Sequence, residues 1–236
     1  IICMRKMVVD SIINATKNVD GWLSDKEVIF LYSAAGKNDK TGTILEIGSW
    51  KGKSTICLAL GLKSSNSREK VHAVDWHKGS KEHGSVSTEK EFKKNVKNAG
   101  VSDFVTPIIM KSEDAAKVWS KKKAPIRLLW IDGSHEYEDV KKDFVLWNKY
   151  VIEGGVVAFH DTFFWSGPKR VVDEFLFRGN FRNIRYVDDV TYGEKTNRLT
   201  AKDRFCNLCF RFYRDIVFVR RFYGPRRIIE RVKNIG

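Results

Sequence analysis

Through its middle, the chain alternates short runs of β-branched residues with longer stretches of helical periodicity. Such an alternation predicts βαβ units, and repeated βαβ units build a parallel sheet. The predicted strands are 43–47, 71–75, 105–110, 126–131 and 156–159. The predicted helices that alternate with them are 53–62, 87–99, 112–121, 138–150 and 169–177. A further strand pair is expected within 183–195, so the order favours an open α/β sheet.

This pattern divides the 236 residues into three segments. A helical lead-in occupies residues 1–40, the sheet domain 41–199, and a segment of different character 200–236. For the sheet domain we expect an α/β, Rossmann-like architecture. Its open, mostly parallel, doubly wound sheet should have about seven strands, with helices on both faces. The last segment is expected to be a basic helical extension.

Composition bounds the class of protein. Hydrophobic residues make up 42% of the chain, which is enough for a buried core. No apolar run approaches the roughly 20 residues that cross a bilayer, and the first residues lack a signal-peptide pattern, so we expect a cytoplasmic protein. Four cysteines are too few and too scattered for a disulfide framework. Cys206 and Cys209 have no second pair to complete a zinc site, and we expect them to be buried thiols on one helix.

The formal charge of +14 is concentrated towards the C-terminal end. Residues 201–236 hold ten Lys and Arg against three Asp and Glu, a surplus of +7. Apolar residues recur there at steps of three and four, which predicts a helix that ends at Gly224-Pro225: Phe205, Leu208, Cys209, Phe212, Ile216 and Val219. A basic amphipathic helix suits an anionic membrane surface, here the inner face, while packing on the core or on a second subunit of a homo-oligomer is the alternative. A nucleic acid is disfavoured because no RNA-binding module is recognisable.

Gly48 and Gly52 occupy the loop after the first strand, where an open parallel sheet binds its ligand. Glycines let such a loop turn sharply and let a ligand approach the backbone. A dinucleotide loop would need a glycine at the position of Trp50, and a Walker loop would need one residue more before Lys53. The third ligand bound by such a loop is S-adenosylmethionine.

Two acids distinguish these ligands. Glu46 stands two residues before Gly48, as in the E-x-G-x-x-x-G loop of enzymes that use S-adenosylmethionine, where the acid helps to hold the methionyl end. Asp75 ends the second strand, where a carboxylate can accept both ribose hydroxyls of an adenosine. A triphosphate-binding loop has no need of that acid. The combination favours S-adenosylmethionine, with a purely structural role of these residues as the alternative.

Four stretches carry a family resemblance: residues 44–55, 73–76, 131–137 and 154–161. Together they resemble class I S-adenosylmethionine-dependent methyltransferases, in the group that includes macrolide-sugar O-methyltransferases and many enzymes of polysaccharide gene clusters. The resemblance covers roughly residues 20–195 and does not include the tail. It implies a cofactor site formed by Glu46, Gly48, Ser49, Gly52, Ser54, Asp75, Trp76, Ser112 and Asp132.

Four further polar positions follow the fourth and fifth strands, so they should meet at the carboxyl edge of the sheet: Asp132, His135, His160 and Asp161. The resemblance implies a catalytic site in which His135 is the general base and Asp132, His160 and Asp161 bind a divalent cation. His160 stands where metal-dependent members carry a carboxylate. This weakens the case for Mg²⁺ and admits Mn²⁺, another transition ion or no metal. Asp132 as a turn cap and both histidines as ordinary polar residues are the alternatives.

The sequence thus predicts methyl transfer to a hydroxyl, and the resemblance implies that the hydroxyl belongs to a sugar of a glycan or glycolipid. Two other functions stay open. The basic charge is compatible with an RNA methyltransferase. A noncatalytic nucleotide-binding or membrane adaptor protein would also retain the glycine loop.

Overall fold

The computed structural model describes residues 2–223 except 38, 80–83, 85 and 123. Its helices are α1 (Ile2–Thr16), α2 (Asp25–Gly36), α3 (Lys53–Ser64), α4 (Glu89–Asn98), α5 (Ser112–Lys122), α6 (Tyr137–Trp147), α7 (Ser166–Val171) and α8 (Ala201–Tyr223). Its strands are β1 (Thr43–Ile47), β2 (Val71–Asp75), β3 (Val105–Ile109), β4 (Ile126–Ile131), β5 (Val151–Phe159), β6 (Phe181–Val187) and β7 (Val190–Lys195).

The strands form one sheet in the order β3-β2-β1-β4-β5-β7-β6. Strands β1 to β5 are parallel, whereas β7 is antiparallel to both β5 and β6. The strand order reverses between β1 and β4, so the loops after these two strands diverge and leave a crevice between them. The predicted α/β class, the mostly parallel sheet of seven strands and the C-terminal helix are confirmed.

Helices cover both faces of the sheet. On one face, α1 to α4 pack on the strands in a buried cluster that includes Leu31, Ile56 and Phe92. On the other face, α5 to α7 pack in a second cluster that includes Trp119 and Phe144. Every residue of β1 and β4 is buried, which explains why these strands are nearly continuous apolar runs in the sequence.

Strand β5 begins at Val151, five residues before the predicted start. The prediction missed this part because Gly154 and Gly155 interrupt the β-branched pattern. Ile126 of β4 pairs with Val151, while Leu128 pairs with Val156, so β5 carries extra residues in a bulge. The bulge includes Gly154, whose φ of +72° is a left-handed conformation that favours glycine.

Two helices differ from their predicted bounds. The helix predicted at 138–150 ends at Trp147 and is followed by a 3₁₀ turn, Asn148–Tyr150. Helix α7 begins at Ser166 rather than at 169, because a proline such as Pro168 is tolerated in the first turn. It continues directly as a π-helix over Val172–Leu176.

Helix α8 packs against β6 through a face that the apolar pattern did not indicate. Its buried side chains include Asn207, whose Nδ2 donates a hydrogen bond to the carbonyl of Phe181 at 2.6 Å, and Arg214, which is 1% exposed. Cys206 and Cys209 are exposed. The expectation that these thiols are buried is therefore wrong, because polar residues occupy the buried face instead.

Within the described part of the chain, no helix is long and apolar enough to cross a membrane. The expected helix end at Gly224-Pro225, and the basic residues that follow it, lie outside the described residues.

Candidate active site

The loops at the carboxyl ends of the parallel strands surround a cavity of about 1400 Å³. Residues 20–24, ahead of α2, complete its wall. Ligand pockets usually measure roughly 300–1000 Å³, so this cavity has room for a nucleoside cofactor beside a second molecule. Of the predicted site residues, Glu46 and Gly52 do not line the cavity, and all the others do.

The glycine loop needs its glycines for two different reasons. Gly48 has a φ of +84°, and a Cβ there would overlap the carbonyl oxygen of Asp132. Gly52, directly before α3, has a φ of +92° and packs against the ring of Phe92. Left-handed backbone is costly for residues with a Cβ. Gly48 therefore permits the close approach of the loops after β1 and β4, and Gly52 permits the turn into α3.

Glu46 lies beneath this loop and is completely buried. Its Oε2 accepts hydrogen bonds from the hydroxyls of Ser49, at 2.9 Å, and Thr55, at 2.5 Å. Burial raises the pKa of Glu46 to about 7, against the opposing effect of hydroxyls that include Ser54. The carboxyl thus joins the loop to α3 from below, and its contact with the methionyl end of a cofactor stays a prediction.

Asp75 lines the cavity at the end of β2 and joins two loops. Its Oδ2 accepts hydrogen bonds from the backbone N–H groups of Ser49 and Trp50, both at 2.8 Å, and its Oδ1 accepts one from His77 at 2.6 Å. A carboxylate has about four acceptor positions, so Oδ1 retains a position for a ribose hydroxyl. Beside it, Trp76 is 39% exposed and lines the same cavity.

A polar patch lies between α5 and α6. Ser112 is the first residue of α5, and its hydroxyl accepts a hydrogen bond from Nε1 of Trp147 at 2.9 Å. Asp143 of α6 also lines the cavity, although nothing in the sequence pattern singled it out. Burial raises its pKa to about 6, while a hydrogen bond with Ser112 acts in the opposite direction. The predicted Ser112 and the unpredicted Asp143 therefore belong to one site.

The four polar side chains predicted at the ends of β4 and β5 do come together. Nε2 of His135 lies 2.8 Å from Oδ2 of Asp161. Nδ1 of His160 lies 3.0 Å from that oxygen and 3.2 Å from Oδ1 of Asp132. Asp161 has a φ of +59°, which is uncommon for a residue other than glycine. Its carboxylate bridges the two imidazoles.

The charges in this cluster stabilise one another. Burial disfavours a charged His160, but Asp132 and the neighbouring carboxylates outweigh this and raise its pKa well above the usual value. Burial likewise opposes the charge of Asp161, and hydrogen bonds from His135 and His160 outweigh it, so the pKa of Asp161 is well below its usual range. For Asp132, burial dominates and raises the pKa. At neutral pH the cluster is therefore expected to contain a protonated His160.

Three of these residues could hold a metal ion. One ligand atom from each of Asp132, His160 and Asp161 lies within 4.8 Å of the other two. Two carboxylates and one imidazole suit Mn²⁺ or another transition ion better than Mg²⁺, which prefers oxygen. Because Nδ1 of His160 faces both carboxylates, it can bind a cation only after losing its proton.

Glu27, in the first turn of α2, is a site residue that the sequence pattern missed. It is 3% exposed, and its Oε2 lies 3.6 Å from Nε2 of His160. Its Oε1 accepts a hydrogen bond from the backbone N–H of Asp189 at 2.8 Å. The available signal was the spacing of Ser24 and Glu27, which form a capping box. The lead-in helix thus contributes an acid to the site.

Several aromatic side chains line the cavity that contains this polar cluster. Trp165 stacks on the imidazole of His135, with ring centroids 4.2 Å apart and planes inclined by 5°. Phe164 precedes it, and both line the cavity with about half of their surface exposed. Trp22 and Trp50, whose rings stack at 4.7 Å, also line the cavity. These residues lie in loops, where strand and helix periodicity give no signal.

Comparisons with known proteins give a family match and several structural matches. The family described as a methyltransferase domain matches residues 45–162, half of the chain. The O-methyltransferase NovP matches with a TM-score of 0.64 and 18% identity, over 74% of this chain and 81% of NovP. CalS11, a calicheamicin methyltransferase, matches with a TM-score of 0.58 and 16% identity, over 71% of this chain and 76% of CalS11. TomG from Streptomyces achromogenes is an O-methyltransferase involved in tomaymycin synthesis. It matches with a TM-score of 0.59 and 17% identity, over 80% of this chain and 89% of TomG. At these identities the structural matches establish a common fold.

Proposed function

The chain belongs to the methyltransferase-domain family, and from this premise we propose that it transfers a methyl group from S-adenosylmethionine to a hydroxyl of a sugar in a glycan or glycolipid. The proposal is supported by proteins with the same fold. NovP and TomG are O-methyltransferases, and the TomG structure is a complex with SAM. CalS11 is a TDP-rhamnose 3'-O-methyltransferase.

The glycine loop and Asp75 form the end of the cavity that we assign to the cofactor. Gly48 lines this end of the cavity and lets the loops after β1 and β4 meet there, and Asp75 offers an acceptor for ribose. Trp76 presents an exposed ring beside Asp75, suited to contact with an adenine. Bound S-adenosylmethionine would supply a methyl group on a sulfonium, and the role of the chain is to align an acceptor with it and to exclude water.

The observation that carries the proposal is the pair formed by His135 and Asp161 on the wall of the same cavity. Nε2 and Oδ2 lie 2.8 Å apart, and the two side chains are 19% and 17% exposed, so an acceptor hydroxyl can reach them. We assign His135 as the general base that takes the hydroxyl proton. Asp161 then stabilises the imidazolium, and the stacked ring of Trp165 keeps the imidazole oriented.

The surroundings of this pair suit a sugar. Trp165 and Phe164 offer flat apolar surfaces to the C–H face of a pyranose ring, while the acids at the ends of β4 and β5 can accept hydrogen bonds from its hydroxyls. Asp132 lies between the glycine loop and His160, where it can orient both the cofactor and the acceptor.

A direct test is methyl transfer from labelled S-adenosylmethionine to a panel of sugar nucleotides, glycans and RNA. We expect labelling of a sugar acceptor, and a loss of kcat by roughly 10²–10⁴-fold in His135→Ala and Asp132→Ala, as for removal of a general base and its surroundings. Binding of S-adenosylhomocysteine should be largely retained. His72→Ala is the matched control, because His72 packs against Trp119 and does not line the cavity.

The outcomes of this assay distinguish the proposed function from the two alternatives, an RNA methyltransferase and a noncatalytic adaptor. Labelling of RNA alone would identify an RNA methyltransferase. Cofactor binding without transfer to any acceptor, or full activity of His135→Ala, would contradict the assigned chemistry and favour a noncatalytic adaptor.

The divalent-cation site at Asp132, His160 and Asp161 stays a prediction. A bound cation would make a coordinated hydroxyl more acidic and hold it in place. If the cation is required, EDTA will abolish methyl transfer and Mn²⁺ will restore it. Unchanged activity in EDTA would exclude this requirement.

A further inference from the structure

Helix α8 exposes a row of large apolar side chains along its length. Phe205, Leu208, Phe212, Ile216 and Val219 are each 50% to 66% exposed. With 3.6 residues per turn, their spacings of three and four residues place them on one side of the helix. We refer to these five residues as the apolar stripe. A contiguous exposed apolar surface of this kind marks an interaction site more often than isolated exposed residues do.

The opposite side of α8 is attached to the domain. Asn207 binds the backbone of β6, and Phe210 packs near the ring of Tyr186, with centroids 5.6 Å apart. Arg214 donates a hydrogen bond to Oδ1 of Asp173 at 2.5 Å. These contacts fix the helix so that the apolar stripe faces away from the domain. Packing on the core, one of the alternatives from the sequence, therefore does not account for the stripe.

Charge indicates what the apolar stripe contacts. Residues 201–236 carry a surplus of +7. Lys202 and Arg204, at the start of α8, are both exposed. Arg214 does not contribute to the exposed charge, because it is buried beside Asp173 and Asp215. Without Arg214 and its partner Asp215, the segment still has nine Lys and Arg against two acids. An apolar surface within such a basic segment is complementary to an anionic bilayer.

We infer that α8 docks the protein on an anionic membrane surface, with the apolar stripe at the boundary between headgroups and acyl chains and the basic residues on lipid phosphates. A second copy of the chain fits less well, because pairing two stripes would bring two segments of +7 together. An RNA would satisfy the basic residues but offers no apolar region for Ile216 and Val219. This inference does not depend on the proposed methyl transfer.

The position of α8 gives such docking a structural consequence. Near the C-terminal end of α8, the ring centroid of Phe218 lies 6.4 Å from that of Phe163. Phe163 directly precedes Phe164 and Trp165 on the cavity wall. A membrane that binds α8 would therefore be attached to a helix that packs beside the loop of Phe164 and Trp165.

The test is co-sedimentation of the full chain with vesicles of phosphatidylcholine, alone or with about 30% phosphatidylglycerol. We expect binding to the anionic vesicles and at least about tenfold weaker binding of the double variant Phe212→Glu/Ile216→Glu. The matched control is Val118→Glu/Val145→Glu, which makes the same change of charge at two exposed valines of α5 and α6. It should bind within about twofold of the wild type.

A second measurement reports the environment of the stripe itself. Cys209 is exposed next to the apolar stripe, whereas Cys57 is buried. With Cys3 and Cys206 replaced by serine, a polarity-sensitive fluorophore on Cys209 should shift to the blue when anionic vesicles are added.

Three results would overturn the inference. The first is absence of vesicle binding by the wild type. If the wild type is then a dimer that dissociates in Phe212→Glu/Ile216→Glu, the partner of the apolar stripe is a second copy of the chain. The second is equal vesicle binding by the wild type and that variant, which would assign binding to the basic residues alone. The third is vesicle binding without any change in the fluorescence of Cys209.

Discussion

At the scale of single residues, Glu46 beneath the glycine loop makes the stability of the fold depend on pH. Its carboxyl is completely buried, and its pKa of about 7 lies well above the value of about 4.5 that a solvated glutamate has. Between about pH 4.5 and 7, Glu46 is protonated in the folded chain and ionised in the unfolded chain. The contribution of Glu46 to stability is therefore fully present below about pH 4.5 and is lost as the pH rises through 7.

Glu46→Gln should remove this dependence while a side chain of the same size still bonds to Ser49 and Thr55. We expect the free energy of unfolding of the wild type to fall more steeply from pH 4.5 to 7 than that of Glu46→Gln, by on the order of 3 kcal/mol. Urea unfolding at several pH values measures both slopes. Glu138→Gln, an exposed position in α6, should keep the slope of the wild type. Parallel slopes for the wild type and Glu46→Gln would contradict this account.

The residues that the sequence could place share a physical origin. Asp132, His135, His160 and Asp161 follow parallel strands, whose carboxyl ends must meet at one edge of the sheet. Glu27 and Asp143 could not be placed in this way, since they reach the cavity from helices that pack on opposite faces. Their part in the site depends on how those helices are oriented, which a local sequence pattern does not determine.

At the scale of secondary-structure elements, the sequence predicted the existence of α8 but not its orientation. Apolar periodicity located the apolar stripe correctly, and the usual rule would bury it. The buried face is instead held by hydrogen bonds and ion pairs of Asn207 and Arg214, whose partners lie far away in sequence. Strand β5 shows the same limit, because two glycines separate its first residues from the β-branched run and only pairing with β4 makes them part of the strand.

Arg214 should determine how firmly α8 is attached. Its side chain is 1% exposed, bonds to Asp173 and Asp215, and lies 4.8 Å from the ring centroid of Phe177. We expect Arg214→Ala to weaken the docking of the helix by about 2 kcal/mol, since it leaves Asp173 without its main partner. Amide hydrogen exchange in α8 should then become about 30-fold faster.

The neighbouring Arg211 provides the control for this prediction. Its Nε lies 3.8 Å from Asp173, and its side chain is 32% exposed, so Arg211→Ala should change the exchange rate by less than about threefold. Similar effects of the two substitutions would show that the buried ion pair does not hold the helix.

At the scale of the whole molecule, the cavity is formed by loops from five parallel strands, so a bound cofactor should stabilise the domain as a unit. At a concentration of S-adenosylhomocysteine about 100 times its Kd, linkage adds about 2.7 kcal/mol to the folded state. For a chain of this size, we expect Tm to rise by roughly 5–10 °C. ATP and NAD at the same concentration should give little change, because the loop has neither a Walker nor a dinucleotide spacing.

Two glycine variants connect this global response to the loop itself. Gly48→Ala and Gly100→Ala both place a Cβ on left-handed backbone, with φ of +84° and +64°. Each should therefore lose about 1 kcal/mol of stability from backbone strain. At Gly100 the nearest atom to the added Cβ is Nζ of Lys63 at 3.9 Å, whereas at Gly48 the Cβ overlaps the carbonyl of Asp132. Gly100→Ala should keep the rise in Tm with S-adenosylhomocysteine, and Gly48→Ala should lose it, because the loops after β1 and β4 can no longer approach each other. A full shift in Gly48→Ala, or an equal shift with ATP in the wild type, would show that the cofactor does not bind at this loop.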